Sequence, residues 1–140
     1  MPPRGHIRYF ADENAMGLAK LLIRDHARND VVFPGHPLLP EIPRGSQDLE
    51  WMPFVGRMGW IALTRDRRIR TRPAELAAYR EHALCSVWIG GKQDHTPAEL
   101  ATMFTRHETR LLRHATKLGA GPWALTMTPS GVRELRLRDR

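Results

Sequence analysis

The block Trp60-Ile-Ala-Leu63 follows Gly59 directly and contains no polar residue alternating with the apolar ones. A strand with that pattern needs cover on both faces, which points to a parallel sheet between helices. The chain then turns polar at Thr64-Arg-Asp-Arg-Arg68 without a turn signal. A buried parallel strand ending in Asp66 delivers that carboxylate to the carboxyl edge of the sheet, where open α/β sheets bind ligands. Taken alone, Asp66 serves equally well as a turn cap or as an ion-pair partner of the adjacent arginines. A second stretch, His6-Ile-Arg-Tyr-Phe-Ala-Asp-Glu-Asn14, has the same grammar: a strand pattern, then acids at its carboxyl end.

The remaining pattern supplies the helices such a sheet requires. A strand at 6–11 is followed by a helix from Gly17 to His26, with Leu18, Leu21 and Leu22 on one face. Val31-Val-Phe33 reads as a short second strand, and residues 34–46, with four prolines and two glycines, as an extended loop. The next helix runs toward Met58. Pro53 inside it would cost about 3 kcal/mol, so the helix is expected to begin near Trp51, leaving Asp48 just before it. After the strand at 60–65 come a helix from Pro73 to about His82 and a strand from Leu84 to Ile89. Thr96-Pro-Ala-Glu99 forms a capping box for a long helix over 97–118, stopped by Gly119. Strands at 123–128 and 132–137, joined by Pro129-Ser-Gly131, complete the chain. The alternation predicts a single α/β domain over residues 1–140, with a mostly parallel sheet and helices on both faces. A strand order of 2-1-3-4 with the last strands at one edge places Asp12 beside Asp66 at the switch point.

Charge sharpens the picture. Residues 1–60 hold seven Lys/Arg against seven Asp/Glu, and residues 61–140 hold fifteen against eight, the whole excess of +7. Arg65, Arg67, Arg68, Arg70 and Arg72 surround Asp66, and a basic patch beside an acidic one suits a polyanion gripped next to a carboxylate-held cation. The C-terminal arginines at 133, 136, 138 and 140 fit a role in solubility. No apolar run reaches membrane-span length, and the amino-terminal residues lack the apolar core of a signal peptide. One cysteine, Cys85, permits no intrachain disulfide, so a cytoplasmic location without membrane association is expected. Cys85 itself reads as a small core residue.

If Asp12 and Asp66 meet, Asp48 is the natural third acid, because its helix leads directly into the strand that ends at Asp66. Three close carboxylates repel one another unless a cation joins them. Oxygen ligands without cysteine or a histidine pair favour Mg²⁺ or Mn²⁺ over zinc. Asn14 and Thr64 are candidate helpers through their side-chain oxygens, although turn and capping roles fit each of them.

The run Tyr-Phe-Ala-Asp-Glu-Asn14, then Asp48-Leu-Glu-Trp51, then Gly-Trp-Ile-Ala-Leu-Thr-Arg-Asp-Arg-Arg-Ile69, then Arg-Pro-Ala-Glu75 resembles PIN-like nucleases. Within them it is most similar to the compact VapC-type toxins of bacterial toxin–antitoxin pairs. The resemblance is strongest over residues 7–92. It implies a metal-dependent ribonuclease in which Asp12, Asp48 and Asp66 bind Mg²⁺ or Mn²⁺ and carry catalysis. It further implies a single-stranded or looped RNA substrate and an antitoxin partner. Arg65, Arg67, Arg68 and Arg70 are the candidate phosphate contacts. The family's additional acid has no clear counterpart, Glu13 and Glu50 being candidates, and Arg68 stands where many members carry another acid.

Two rival readings remain at this stage. One is a basic nucleic-acid-binding module with a degenerate, inactive site; the other is a structural α/β protein with ordinary ion pairs at Asp66. His107 and His114, seven apart on the long helix, and His95 are read as surface or packing residues rather than a zinc site. Trp51, Trp60, Trp88 and Trp123 are assigned to the core, Trp88 being the least constrained. Association with a second copy of the chain is left open.

Overall fold

The computed structural model describes residues 4–65, 72–91 and 93–136. Six strands, β1 (Tyr9–Ala11), β2 (Val31–Val32), β3 (Ile61–Thr64), β4 (Cys85–Ile89), β5 (Trp123–Thr128) and β6 (Gly131–Leu135), form one sheet. Their order is β2-β1-β3-β4-β5-β6. The first four pairings are parallel, and only the β5–β6 hairpin is antiparallel. Four helices connect them: α1 (Met16–Asp25), α2 (Asp48–Met58), α3 (Pro73–Glu81) and α4 (Pro97–Leu118). The expected α/β architecture is therefore the observed one. The interior strands β1, β3 and β4 carry almost only buried residues, as strands without a polar face do.

Alternation along each strand sorts side chains into two cores. Tyr9, Ala11, Ile61, Leu63, Val87, Ile89, Leu125 and Met127 pack with α1 and α4. Phe10, Ala62, Trp88 and Ala124 point the other way, against Trp51, Met52 and Val55 of α2, Tyr79 of α3, and Leu39 and Ile42 from the proline-rich loop. Long α4 buries Leu100, Met103, Phe104 and Leu111 at helical spacing, and the Phe104 ring meets Tyr9 edge-on at 5.1 Å. All four tryptophans are buried, Trp88 included, which stacks on Tyr79 at 5.6 Å.

The α2 helix corrects one expectation. It begins at Asp48, not near Trp51, and carries Pro53 inside. The Glu50 carboxylate accepts the Gln47 amide at 2.6 Å, so the first turn is closed by its own side chain. Pro53 removes the amide that would have bonded the Leu49 carbonyl. Leu49 is 48 % exposed, so water can satisfy that oxygen. The usual penalty for an internal proline is thereby reduced. At the other end, Gly56 allows α2 to lie close against the end of α3. A Cβ there would overlap the His82 carbonyl.

Candidate active site at the carboxyl edge of the sheet

Because β1 and β3 are parallel neighbours, with Tyr9 opposite Ile61 and Ala11 opposite Leu63, their carboxyl ends leave the sheet side by side. The Asp12 amide continues the ladder to the Leu63 carbonyl at 3.1 Å. Immediately beyond, the Thr64 hydroxyl donates to one Asp12 carboxylate oxygen, while the Ala15 amide donates to the other at 3.1 Å. Asp12 thus caps the 3₁₀ turn Glu13–Ala15, which leads into α1, and is only 2 % exposed. A carboxylate so deeply placed depends on donors of this kind to hold it in the charged form.

Asp48 reaches the same place from α2. As the first residue of that helix it stands where the peptide dipoles favour negative charge. The Trp51 indole nitrogen donates to its Oδ1 at 3.2 Å, one helical turn on. Asp12, Asp48, Glu13 and Asn14 together line a cleft of about 350 Å³, closed by Gly45, Ser46, Gln47, Trp51 and Arg72. The Glu13 carboxylate accepts the Gly45 amide and so ties the proline-rich loop to the rim.

The remaining candidates divide. Asp66, Arg67, Arg68 and Arg70 lie outside the described residues. Thr64, two positions before Asp66, is buried behind the cleft and bonds Asp12 from there. Glu50 is engaged in capping α2 and is not among the cleft-lining residues. Arg65 turns toward β4, where its guanidinium donates to the carbonyls of Ile89 at 2.6 Å and Gln93 at 3.2 Å. It lies over Gly90, whose backbone has φ +94° and leaves no space for a side chain. Arg65 therefore fastens the ends of β3 and β4 together. Arg72, at the cap of α3, lines the cleft instead and pairs with Glu75 at 3.2 Å.

Sequence reasoning counted Arg72 in the basic patch around Asp66 without naming it a phosphate contact, and assigned no site role to the Trp51 indole. The signal for Arg72 was its position before Pro73, which fixes a helix start at the sheet edge. For Trp51 it was the three-residue spacing from Asp48. A third feature was not legible. Tyr79 is fully buried, and its hydroxyl has no hydrogen-bond partner among the described residues. Burial first, and then the charge of Asp12, push its phenol well above the ordinary value.

The other titratable candidates have structural roles. His95 contacts the Gly90 carbonyl at 3.0 Å, and His107 the Pro129 carbonyl at 3.1 Å. His114 approaches Glu134 at 4.0 Å. Cys85 packs against the core on the α1/α4 side, and burial pushes its thiol up, away from the reactive thiolate. The cleft's donors are oxygens, as a hard divalent cation requires. Among the described residues no three metal-ligating side chains come together, and the third acid, Asp66, is not one of them. No helix among these residues is long and apolar enough to cross a membrane.

The sequence model of the family described as "PIN like domain" matches residues 7–91, more than half of the chain and the segment that builds β1 to β4. No curated protein and no solved structure matches.

Proposed function

The chain belongs to the PIN-like domain family, and from that premise we propose that it is a metal-dependent ribonuclease that hydrolyses RNA phosphodiester bonds. Family membership points to nuclease-type chemistry. What supports the finer reading is the convergence of Asp12 and Asp48, from separate elements, on one cleft beside Arg72. Asp12, Asp48 and Asp66 would hold Mg²⁺ or Mn²⁺, with Glu13 and Asn14 at the rim. The cation would supply a more acidic bound water and neutralise charge on the phosphoryl group. Thr64 and the Ala15 amide fix the Asp12 carboxylate, and the Trp51 indole fixes Asp48, so neither has to reorganise when substrate arrives. Arg72, with Arg67, Arg68 and Arg70, would grip the flanking phosphates through planar guanidinium forks. The toxin role, with an antitoxin as partner and the cytoplasm as location, extends this proposal on the strength of the sequence resemblance.

The test is cleavage of single-stranded RNA with Mg²⁺ or Mn²⁺ by the wild type and by Asp12→Asn and Asp66→Asn. Both variants should lose cleavage while keeping or strengthening RNA binding, because each removes a negative charge facing phosphates. Mn²⁺ should raise the wild-type melting temperature, by about 2.7 kcal/mol of stability at a hundredfold excess over its Kd, and should not stabilise Asp66→Asn. The excess of cations in the second half of the chain and Arg68 favour one alternative, a binding module without catalysis. Tight RNA binding by a wild type that cleaves nothing with any divalent metal would establish it.

A further inference from the structure

A second charged surface lies beyond residue 91, where the family match ends. Along α4, Arg106, Arg110, Arg113 and Lys117 are all exposed. Spacings of four, three and four residues keep them within roughly 60° of one another around the helix, each about 4.5–6 Å further along its axis. Among the described residues, none of these four side chains makes a hydrogen bond or ion pair. The nearby acids are engaged elsewhere. Glu99 accepts the Thr96 amide, Glu108 is held by Arg28 and Tyr9, and Glu134 faces His114. Like charges one turn apart destabilise a helix, so this stripe does not serve stability.

The chemistry of the stripe selects its partner. Three of the four cations are arginines, whose planar forks match phosphate oxygens. A membrane surface would require apolar anchors on the same face. The exposed large hydrophobics among the described residues are Leu49 and Met58, both on α2. The helix that carries the stripe starts at the edge that holds the cleft and runs toward the opposite edge, where Glu108 meets Arg28. Pro97, the first residue of α4, abuts Gly17 at the start of α1, just after the Asp12 turn. Arg106 follows nine residues later, about 14 Å along the helix.

We propose that this face of α4 is an exosite for the phosphate backbone of a single RNA strand whose scissile segment occupies the Asp12–Asp48 cleft. The placement of the scissile segment rests on the nuclease reading; the binding surface does not. Only a strand long enough to leave the cleft and follow α4 would engage both.

The experiment compares the wild type with R106A/R110A/R113A/K117A, and with a variant in which the three arginines become lysine, using labelled RNA in EDTA so that cleavage plays no part. Loss of four contacts should make the slope of log affinity against log salt shallower by up to about 2.8, at about 0.7 per single-strand phosphate. Binding of a strand of about twenty nucleotides at physiological salt should weaken at least tenfold. A strand of about four nucleotides should bind as before, since it fills only the cleft. The lysine variant should keep the slope, and the melting temperature of all forms should stay within a few degrees. An unchanged slope and affinity for the long strand would overturn the proposal. So would tighter wild-type binding to phosphatidylserine vesicles or polyglutamate than to RNA at the same salt. A wild type that cleaves no RNA, yet shows the slope change, would sink the nuclease reading and leave the exosite standing.

Discussion

Strand β1 carries a carboxylate-centred cluster at each of its ends, and the two are built differently. At the amino end, Arg28 lies between Asp30 at 2.9 Å and Glu108 at 2.7 Å, and the Tyr9 hydroxyl donates to Glu108 at 2.7 Å. The Arg28 guanidinium also lies 5.9 Å from the Tyr9 ring centre and 5.6 Å from that of Phe104. Both oxygens of Glu108 are engaged, and the cluster joins α1's exit, β1 and α4. At the carboxyl end, Asp12 takes its bonds from a hydroxyl and an amide, and shares a cleft with Asp48 and Arg72. The first cluster brings its counter-charge into the protein and closes around it. Among the described residues, the second sets two acids from separate elements on the wall of one cleft. The contrast is between a carboxylate enclosed by an arginine and a tyrosine and a pair of carboxylates that line a cleft.

Substitution should separate the two ends most sharply. Glu108→Ala leaves Arg28 and Tyr9 facing an emptied site and should cost about 2–3 kcal/mol. That is below the roughly 3–5 of a wholly buried pair, because both side chains remain partly exposed. RNA cleavage per folded molecule should be unchanged. Asp12→Asn should do the reverse, abolishing cleavage with a much smaller shift in melting temperature. Denaturant unfolding and a cleavage assay on the same two preparations read both quantities. A Glu108 variant that keeps its stability but loses cleavage would erase the distinction.

Alkaline titration probes both ends through the chain's two tyrosines. The Tyr9 phenol is raised by burial and then by its bond to Glu108, and Tyr79 is raised by burial and then by Asp12. A raised folded-state value means that the folded protein keeps a proton the unfolded chain releases above about pH 10. The associated stability is therefore intact below pH 10 and is lost as pH climbs beyond it. Phenolate absorbance should stay flat past pH 10 and then rise for both tyrosines together, in step with the loss of helical circular dichroism. One tyrosine ionising while the helices persist would show that its end of the sheet is open to solvent.

The smallest expected effect concerns the cleft alone. Trp51→Phe keeps the ring in the core and removes the bond to Asp48, at a cost of about 1 kcal/mol. If that bond orients the acid, cleavage should fall more than this loss of stability would suggest, and Mn²⁺ should bind more weakly. Equal Mn²⁺ affinity in both proteins would assign the indole to packing only.

The strands and helices were legible because each is a local property. An unbroken apolar block reads as an interior strand, and Thr96 with Glu99 reads as a helix start whether or not the rest of the chain is known. The expected limits 97–118 for α4 are the observed ones. The start of α2 was misplaced because the proline rule assumes a helix with no compensation. Here Glu50 caps the first turn, and the carbonyl orphaned by Pro53 sits on an exposed residue.

By itself the sequence determined the α/β alternation, the sheet order and the placement of an acid directly after β1. These follow from side-chain periodicity and from the handedness of parallel connections, which leave a short chain few alternatives. Tertiary structure alone decided which charged groups share a space. It sent Arg65 to the carbonyls of β4 and Arg72 to the cleft, enclosed Glu108 with Arg28 across eighty residues, and left the α4 cations outward. The physical reason is reach. Periodicity fixes which face a residue occupies, but a long charged side chain settles where partners from distant elements converge, and those partners exist only once the sheet has formed.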